Sequence, residues 1–486
     1  MKRLVHTLKT ATLGLALSGA FAAAAQADTL REIYELALQN DAQLKAAEAS
    51  YRANLELERL GLAALLPQVQ GNYQYTDNRT ETVANAVNVT DNGLDIFENT
   101  TIVDTEDTGY QVSLDQAIFN MPAWFSFKSG KQRSKEAEAT FAADQQDLIV
   151  RVVESYLGVL RAQDNLEASQ ARERAFQRQL EQTQQRFEVG LIAITDVHEA
   201  QAAYDLARVE RITDENNLNV AIERLSVLTG RYHSNLHLLS DDFEIKSPEP
   251  ADRAAWVDFA LDHNFRLSAA SYLEEAARQN ARAFASEHLP TVSGRISYSD
   301  TETRGTRTED PPSLFLISPD ADRELEVYQV RVDVPLFSGG RISAQRRQAA
   351  QEYIAARENR INLMRNTVTD TRSLHMTVIN DVARVNARRL SIVSSQSALD
   401  ATTAGYEVGT RNVVDVLNAQ NTLFQARRDY ANARYDYVNN LLRLKLQAGL
   451  LSPEDVYRLE AQLVAPPAPT ASSTGKSDRS PYPTRR

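Results

Sequence analysis

The chain contains no cysteine. That excludes disulfide frameworks, thiolate metal sites, a cysteine nucleophile and a lipidated N-terminal cysteine. It has no run of about 18 apolar residues outside its extreme N-terminus, and its mean hydropathy is −0.41; it is not a helical membrane protein. It has no basic excess. A net charge of −12 argues against nucleic acid as a partner, because phosphate binding needs clustered Lys and Arg. Glycine and proline are sparse, 18 and 15 in 486 residues. A length prior of about 100–200 residues per domain suggests two to four units, but so little punctuation is unusual for a multi-domain globular enzyme.

Residues 1–27 have the layout of a secretory signal. Lys2, Arg3 and Lys9 supply the charged region, 11–25 is a short Ala/Leu-rich core, and Ala25-Gln26-Ala27 is a small-x-small cleavage pattern. Cleavage before Asp28 removes those three cations and leaves a net charge of −15. The chain is expected to leave the cytoplasm through a bacterial inner membrane.

Beyond the signal segment the chain is written twice. Leu66-Pro67 and Leu289-Pro290 lie 223 apart, and the same offset aligns Ala37-Leu38 with Ala260-Leu261, Leu44 with Leu267, and Tyr75 with Tyr298. Val189-Gly190 matches Val408-Gly409, Asp196-Val197 matches Asp415-Val416, and Gly230 matches Gly449, all at offset 219. An ordered series of matches is the mark of internal duplication. The expected division is 28–250 for the first repeat, 251–463 for the second, and 464–486 for a Pro/Ser/Thr-rich disordered tail.

Each repeat contains two segments that alternate with period two, as strands do. They fall at about 68–77 and 109–119, then at about 291–300 and 327–337. Val69, Tyr73 and Tyr75 oppose Gln70, Asn72 and Gln74; Tyr328, Val330 and Val332 oppose Gln329, Arg331 and Asp333. Nine to eleven residues is about the length of a tilted membrane-crossing strand. Four strands cannot close a membrane barrel, for which about eight is the floor, and open edges are not tolerated in lipid. The barrel must be shared. Two chains would give eight strands and three would give twelve; composition does not choose. The segments between paired strands, 78–108 and 301–326, are polar and are expected to be long outer loops.

Prolines are absent inside 123–247 and 336–452, which permits very long helices. Stepping by seven from Met364 gives Thr371, Val378, Val385, Ile392, Leu399 and Tyr406; a second series runs from Ile354 through Ile361, Val368, His375 and Val382. In the first repeat, Gln145, Val152, Val159, Leu166, Glu173, Leu180 and Phe187 are spaced alike. Sustained heptads predict coiled coil. One helix is expected over 126–188, about 95 Å at about 1.5 Å per residue, turning near Val189-Gly190 and returning over 196–230. The second repeat is expected to do the same around Val408-Gly409. The fold class is therefore mainly α with membrane β.

At these turns the sequence resembles a known family, the TolC-type outer-membrane channel proteins. The match is carried by Gln185-Arg186-Phe187-Glu188-Val189-Gly190-Leu191-Ile192-Ala193-Ile194-Thr195-Asp196-Val197 and by Gly405-Tyr406-Glu407-Val408-Gly409-Thr410-Arg411-Asn412-Val413-Val414-Asp415-Val416-Leu417, and it extends over about 29–461. The resemblance implies a homotrimer with a shared 12-stranded barrel and a twelve-helix periplasmic tunnel. It implies an outer-membrane exit duct for efflux pumps and type I secretion, without catalytic chemistry or cofactor, working with a periplasmic adaptor protein and an inner-membrane pump or ABC transporter. It implies outer-membrane lipid around the barrel. It also implies site residues. Asp415 matches a channel-lining acidic ring; position 418, acidic in the family's best-known pattern, is Asn418 here, which leaves that ring uncharged. Asp196 and Thr195 match a gate-closing network with Arg411 and Tyr406. Gln179 matches a further network position, but its usual Glu partner is Thr403. The turns Val189, Gly190, Leu191 and Val408, Gly409, Thr410 match the grooves that receive adaptor hairpins.

Two alternatives fit part of the pattern. A passive porin would lack the duplicated helical hairpins, and a soluble periplasmic coiled-coil scaffold would need no alternating strands. His233 and His237 have a metal-compatible spacing without an accompanying acidic motif. Gly339-Gly340 lacks a phosphate-loop pattern and reads as a strand-to-helix turn.

Overall fold

The computed structural model describes residues 28–90, 93–233, 235–240, 242–312 and 317–466. The signal segment 1–27 lies outside these residues, and so does the tail from 467. Val464, expected to open that tail, instead pairs with Leu238.

The duplication is visible element by element. Helices α1 (Leu30–Asn40) and α5 (Arg253–His263) are 11 residues each. They lead into α2 (Ala42–Ala63) and α6 (Phe265–Ala285). Asp41 and Asn264, 223 apart, are the N-caps, and their side chains accept from Leu44 N at 2.6 Å and Leu267 N at 3.0 Å. Strands β1 (Gln68–Thr90) and β2 (Gly93–Phe119) correspond to β4 (Thr291–Asp310) and β5 (Ala321–Asp333). The long helices α3 (Met121–Glu188, 68 residues) and α7 (Arg341–Glu407, 67 residues) are answered by α4 (Ile194–Thr229) and α8 (Val413–Gln447). A two-residue strand β3 (Leu238–Leu239) pairs with β6 (Leu463–Val464), which comes after α9 (Pro453–Glu460).

The chain forms two compact units that cut across the repeats. Among the described residues the first combines 28–39, Val152–Glu244 and 453–466. Its core includes Leu30, Ile33, Tyr156, Leu160, Leu225 and Val456, all fully buried. Tyr156 donates its hydroxyl to the His237 carbonyl at 2.8 Å, and burial pushes its phenol well above the usual range. His233, despite its metal-compatible spacing, lies between Asp28 and Thr229, 2.8 Å from each. His237 faces Glu460 at 3.2 Å. Both histidines tie chain segments together.

The second unit, Asn40–Arg151 with Ile245–Ser452, holds the sheet. Its four strands are antiparallel in the order β1-β2-β4-β5. The register stacks like faces: Val69 opposes Leu114, Leu114 opposes Ile296, and Ile296 opposes Tyr328. One face is thus apolar across all four strands, and Val69, Tyr73, Ile296, Tyr328 and Val330 are each at least half exposed on it. On the other face Arg295 grips Asp115 with two hydrogen bonds of 2.6 and 2.9 Å. β1 and β4 begin where alternation places them and run about twice as far, β2 ends where expected but begins at Gly93 rather than about 109, and β5 is shifted to 321–333. The expected outer loops are mostly β-ladder, Thr-rich and pinned by cross-strand pairs such as Arg79–Asp104 and Arg304–Asp322. Polar β-branched residues favour the extended pleat as apolar ones do.

Close helix contacts need small residues. A Cβ on Gly130 of α3 would stand 2.4 Å from the Leu57 carbonyl oxygen of α2, and Ser134 donates to the Asn54 carbonyl at 3.1 Å. Along α7 the Met364 series is the packed seam: Thr371, Val378, Val385 and Tyr406 are buried. Its partner stripe lies three residues on, at Thr367, Asp381 and Ser395, rather than along the Ile354 series, of which only His375 is fully buried. That stripe is polar and so escapes an apolar heptad count. Asp381 is satisfied by Arg384 and by Asn440 of α8 at 2.7 Å, and Arg388 pairs with Asp429 at 2.9 Å. Among the described residues no helix is long and apolar enough to cross a membrane.

His375 is buried, and its Nε2 has no hydrogen-bond partner. Burial first, then the nearby Arg253, hold its pKa below the ordinary value, against a weaker pull from Asp252. The unfolded chain therefore takes up the proton more readily, so this contribution to stability is complete above about pH 6.5 and is lost as pH falls below it. His375→Gln is expected to shrink the drop in unfolding midpoint between pH 7.5 and 5.5, measured by thermal melts of the two chains.

Candidate functional site: the helical turns

The residues singled out by the sequence cluster at two interhelical turns, one in each compact unit. The first closes α3. Gly190 N donates to the Phe187 carbonyl at 2.9 Å and Leu191 N to the Arg186 carbonyl at 2.9 Å. Gly190 sits at φ 75°, the left-handed conformation that ends helices and favours glycine. Val189 and Leu191 are 70% and 72% exposed, a pair of apolar side chains held outward by a rigid turn. α4 then starts from Ala193, whose side chain cannot cap, so the Asp196 amide falls back on the Ala193 carbonyl at 3.2 Å. Thr195 is exposed and Asp196 half-buried in this first turn. Gln179 lies lower on α3, buried; it meets Thr183 within its own helix.

The second turn repeats the backbone and changes the side chains. Gly409 has φ 78°, and its N–H reaches the Tyr406 carbonyl at 3.1 Å. The Gly405 carbonyl gathers Thr410 N, Arg411 N and the Thr410 hydroxyl within 3.2 Å. Here α8 has a full capping box. Asn412 Oδ1 accepts from Asp415 N at 2.8 Å, and Asp415 Oδ2 accepts from Asn412 N at 3.3 Å. The pattern Asn-x-x-Asp signals such a box in the sequence; assigning Asp415 to the channel alone overlooks it. Asp415 has one oxygen in that box and a 3.9 Å contact with Arg411. Arg411 is 62% exposed, and an exposed pair of that length holds it weakly. Tyr406 is buried, Thr403 bonds back to the Leu399 carbonyl at 2.8 Å, and Asn418 is exposed one turn beyond Asp415. The second turn thus brings Tyr406, Arg411 and Asp415 onto one hairpin end, while Thr195 and Asp196 belong to the other unit.

Such an arrangement has no nucleophile–base pair; it offers exposed apolar turns, a weakly held guanidinium and an oriented carboxylate. Asn412→Ala is expected to cost α8 about 0.5–2 kcal/mol, read as faster hydrogen exchange at the Asp415 amide, while α4, already without a side-chain cap, is unaffected.

Known proteins share this layout. A family model described as outer membrane efflux protein matches residues 33–231 and 256–450, one stretch in each repeat. Outer membrane protein TolC of Vibrio cholerae serotype O1 is 33% identical over 95% of this chain and 99% of its own length. The alkaline protease secretion protein AprF of Pseudomonas aeruginosa is 28% identical, covering 96% of this chain and 93% of its own. Among solved structures, CusC superposes with a TM-score of 0.71 at 17% identity, over 87% of this chain and 92% of that one.

Proposed function

The chain belongs to the outer membrane efflux protein family, and from that membership we propose that three copies assemble one barrel of twelve strands over a periplasmic tunnel of twelve helices. The protein is an outer-membrane exit duct for efflux and type I secretion. It works with a periplasmic adaptor and an inner-membrane pump, which supply coupling and energy. The observation that carries the shared barrel is the sheet itself: an exposed apolar face across four strands, with β1 and β5 as edges. Lipid offers no hydrogen-bond partners to an open edge, and a neighbouring copy does. The repeats 28–250 and 251–463 then each contribute two strands and one helical hairpin per copy.

The gate lies at the turns. Arg411 and Tyr406 close it by bonding Thr195 and Asp196, within and between copies. Support comes from the loose hold of Asp415 on Arg411 and from Asp196 starting a helix that its neighbour Ala193 does not cap. Interactions of this kind bias a two-state element, and losing them favours the open state. Asp415 lines the closed mouth as a ring of carboxylates that favours cations; Asn418 makes the adjoining ring neutral, and Thr403 leaves Gln179 without an acidic partner.

Reconstituted in a planar bilayer, the chain carrying Arg411→Ser with Tyr406→Phe is expected to conduct severalfold better than the parent. Unchanged conductance would contradict the gate assignment.

The adaptor docks on Val189, Gly190 and Leu191 and on Val408, Gly409 and Thr410. Gly190→Glu or Gly409→Glu is expected to abolish drug resistance in a complemented deletion strain while assembly persists. Gly190→Asn, which tolerates the left-handed backbone, controls for strain and should retain resistance.

A further inference from the structure

Between Asp115 and Glu136 the sequence holds no acid, and between Asp333 and Glu352 it again holds none. Both stretches span the junction where a strand hands over to a long helix: β2 to α3 and β5 to α7. Lys128, Lys131, Arg133 and Lys135 fall in the first, and Arg341, Arg346 and Arg347 in the second. In a chain of net charge −12, two acid-free basic segments at matching points of the two repeats are a local reversal of sign.

Intramolecular pairing does not explain these cations. Among the described residues no carboxylate pairs with Lys128, Lys131, Arg346 or Arg347, and Arg341 reaches Glu287 only at 3.6 Å. The next cations along α7, Arg357 and Arg360, are both ion-paired, to Glu358 and Glu274. Helix electrostatics does not explain them either, because the terminal partial charge fades within the first turn and at this end favours anions. Lys131, Arg346 and Arg347 are exposed.

The same junction presents large apolar groups. Leu336 and Phe337 are 92% and 89% exposed, and Trp124 is 42% exposed. Lys128 stands over the Trp124 ring, 5.3 Å from its centroid. Trp124, Lys128, Lys131 and Lys135 are spaced four, three and four apart and so share one stripe of α3. An amphipathic aromatic with cations one and two turns beyond it is the chemistry of a bilayer boundary: the ring sits at headgroup level and the cations reach the phosphates.

We propose that this junction binds anionic phospholipid headgroups of the leaflet that faces the periplasm, with Lys128, Lys131, Arg346 and Arg347 as the phosphate contacts. The proposal rests on the reading that the strands cross the outer membrane with the long helices on the periplasmic side. Charge complementarity and continuity with the apolar face of the sheet select the occupant: the surface begins where the membrane-facing residues end. It gives the duct a fixed depth in the bilayer, independent of its cargo.

The test uses the full chain, purified in mild detergent and exposed to equal amounts of phosphatidylglycerol and phosphatidylethanolamine before the retained lipid is quantified. Phosphatidylglycerol is expected to be retained about tenfold in excess at low salt. The excess should collapse at 1 M salt, where the Debye length is about 3 Å. The variant Lys128→Gln, Lys131→Gln, Arg346→Gln, Arg347→Gln should lose it, and the charge-conserving Lys128→Arg, Lys131→Arg, Arg346→Lys, Arg347→Lys should keep it. Equal retention of the two lipids by the parent chain, or an undiminished excess in the Gln variant, would overturn the proposal. Flotation with vesicles of phosphatidylethanolamine alone separates the two readings. A parent chain that does not float refutes the membrane-crossing strands; one that floats without lipid preference refutes only the headgroup site. If the fourfold Gln variant does not float, the paired variants Lys128→Gln with Lys131→Gln, and Arg346→Gln with Arg347→Gln, together with the salt titration of the parent, decide.

Discussion

A backbone N–H or C=O in hydrocarbon must find its partner in protein. The rest of the architecture depends on that constraint. One chain supplies four strands whose apolar faces align through the register Val69–Leu114–Ile296–Tyr328, and this leaves β1 and β5 as edges. A hairpin or small sheet in water can leave its edges wet; a sheet in lipid cannot. On the proposed reading the chain recruits copies of itself, each repeat bringing a hairpin of strands and a pair of long helices.

The long helices arise from the same economy of punctuation. Glycine appears at a few points whose backbone or spacing favours it. Gly190 and Gly409 turn the hairpins with positive φ, and Gly130 lets α3 approach the backbone of α2. Elsewhere the helices run uninterrupted for 68 and 67 residues. Their seam is half apolar and half polar. Val378 and Val385 alternate with Asp381 and the Arg388–Asp429 pair. A polar stripe that must be matched across the hairpin fixes register in a way a purely apolar seam does not.

Much of this is legible in the residues. Proline gaps, heptads and the paired glycines locate the hairpins, and period-two alternation locates the starts of β1 and β4 and the end of β2. The illegible parts have physical causes. Thr-rich extensions of the strands look like loops because their polarity hides their β-propensity. The seam stripe at Thr367, Asp381 and Ser395 is invisible to a count of apolar heptads. The two compact units divide α3 between them, and no composition shift marks that division. At the turns, Gly190 and Gly409 are readable from the motif, whereas the capping role of Asp415 hides behind a functional assignment; the carboxylate serves the start of α8 with the same oxygen that faces Arg411.

The central claim is closure of the sheet by neighbouring copies. The chain's lack of cysteine makes it directly testable. Pairs of cysteines, one stepped through positions 69–75 of β1 and one through 327–333 of β5, can be oxidised in the membrane and resolved by mass. The account predicts that at matched register the linked species grow to three chains and stop there. A link formed only within single chains, or growth that stops at two, would contradict it.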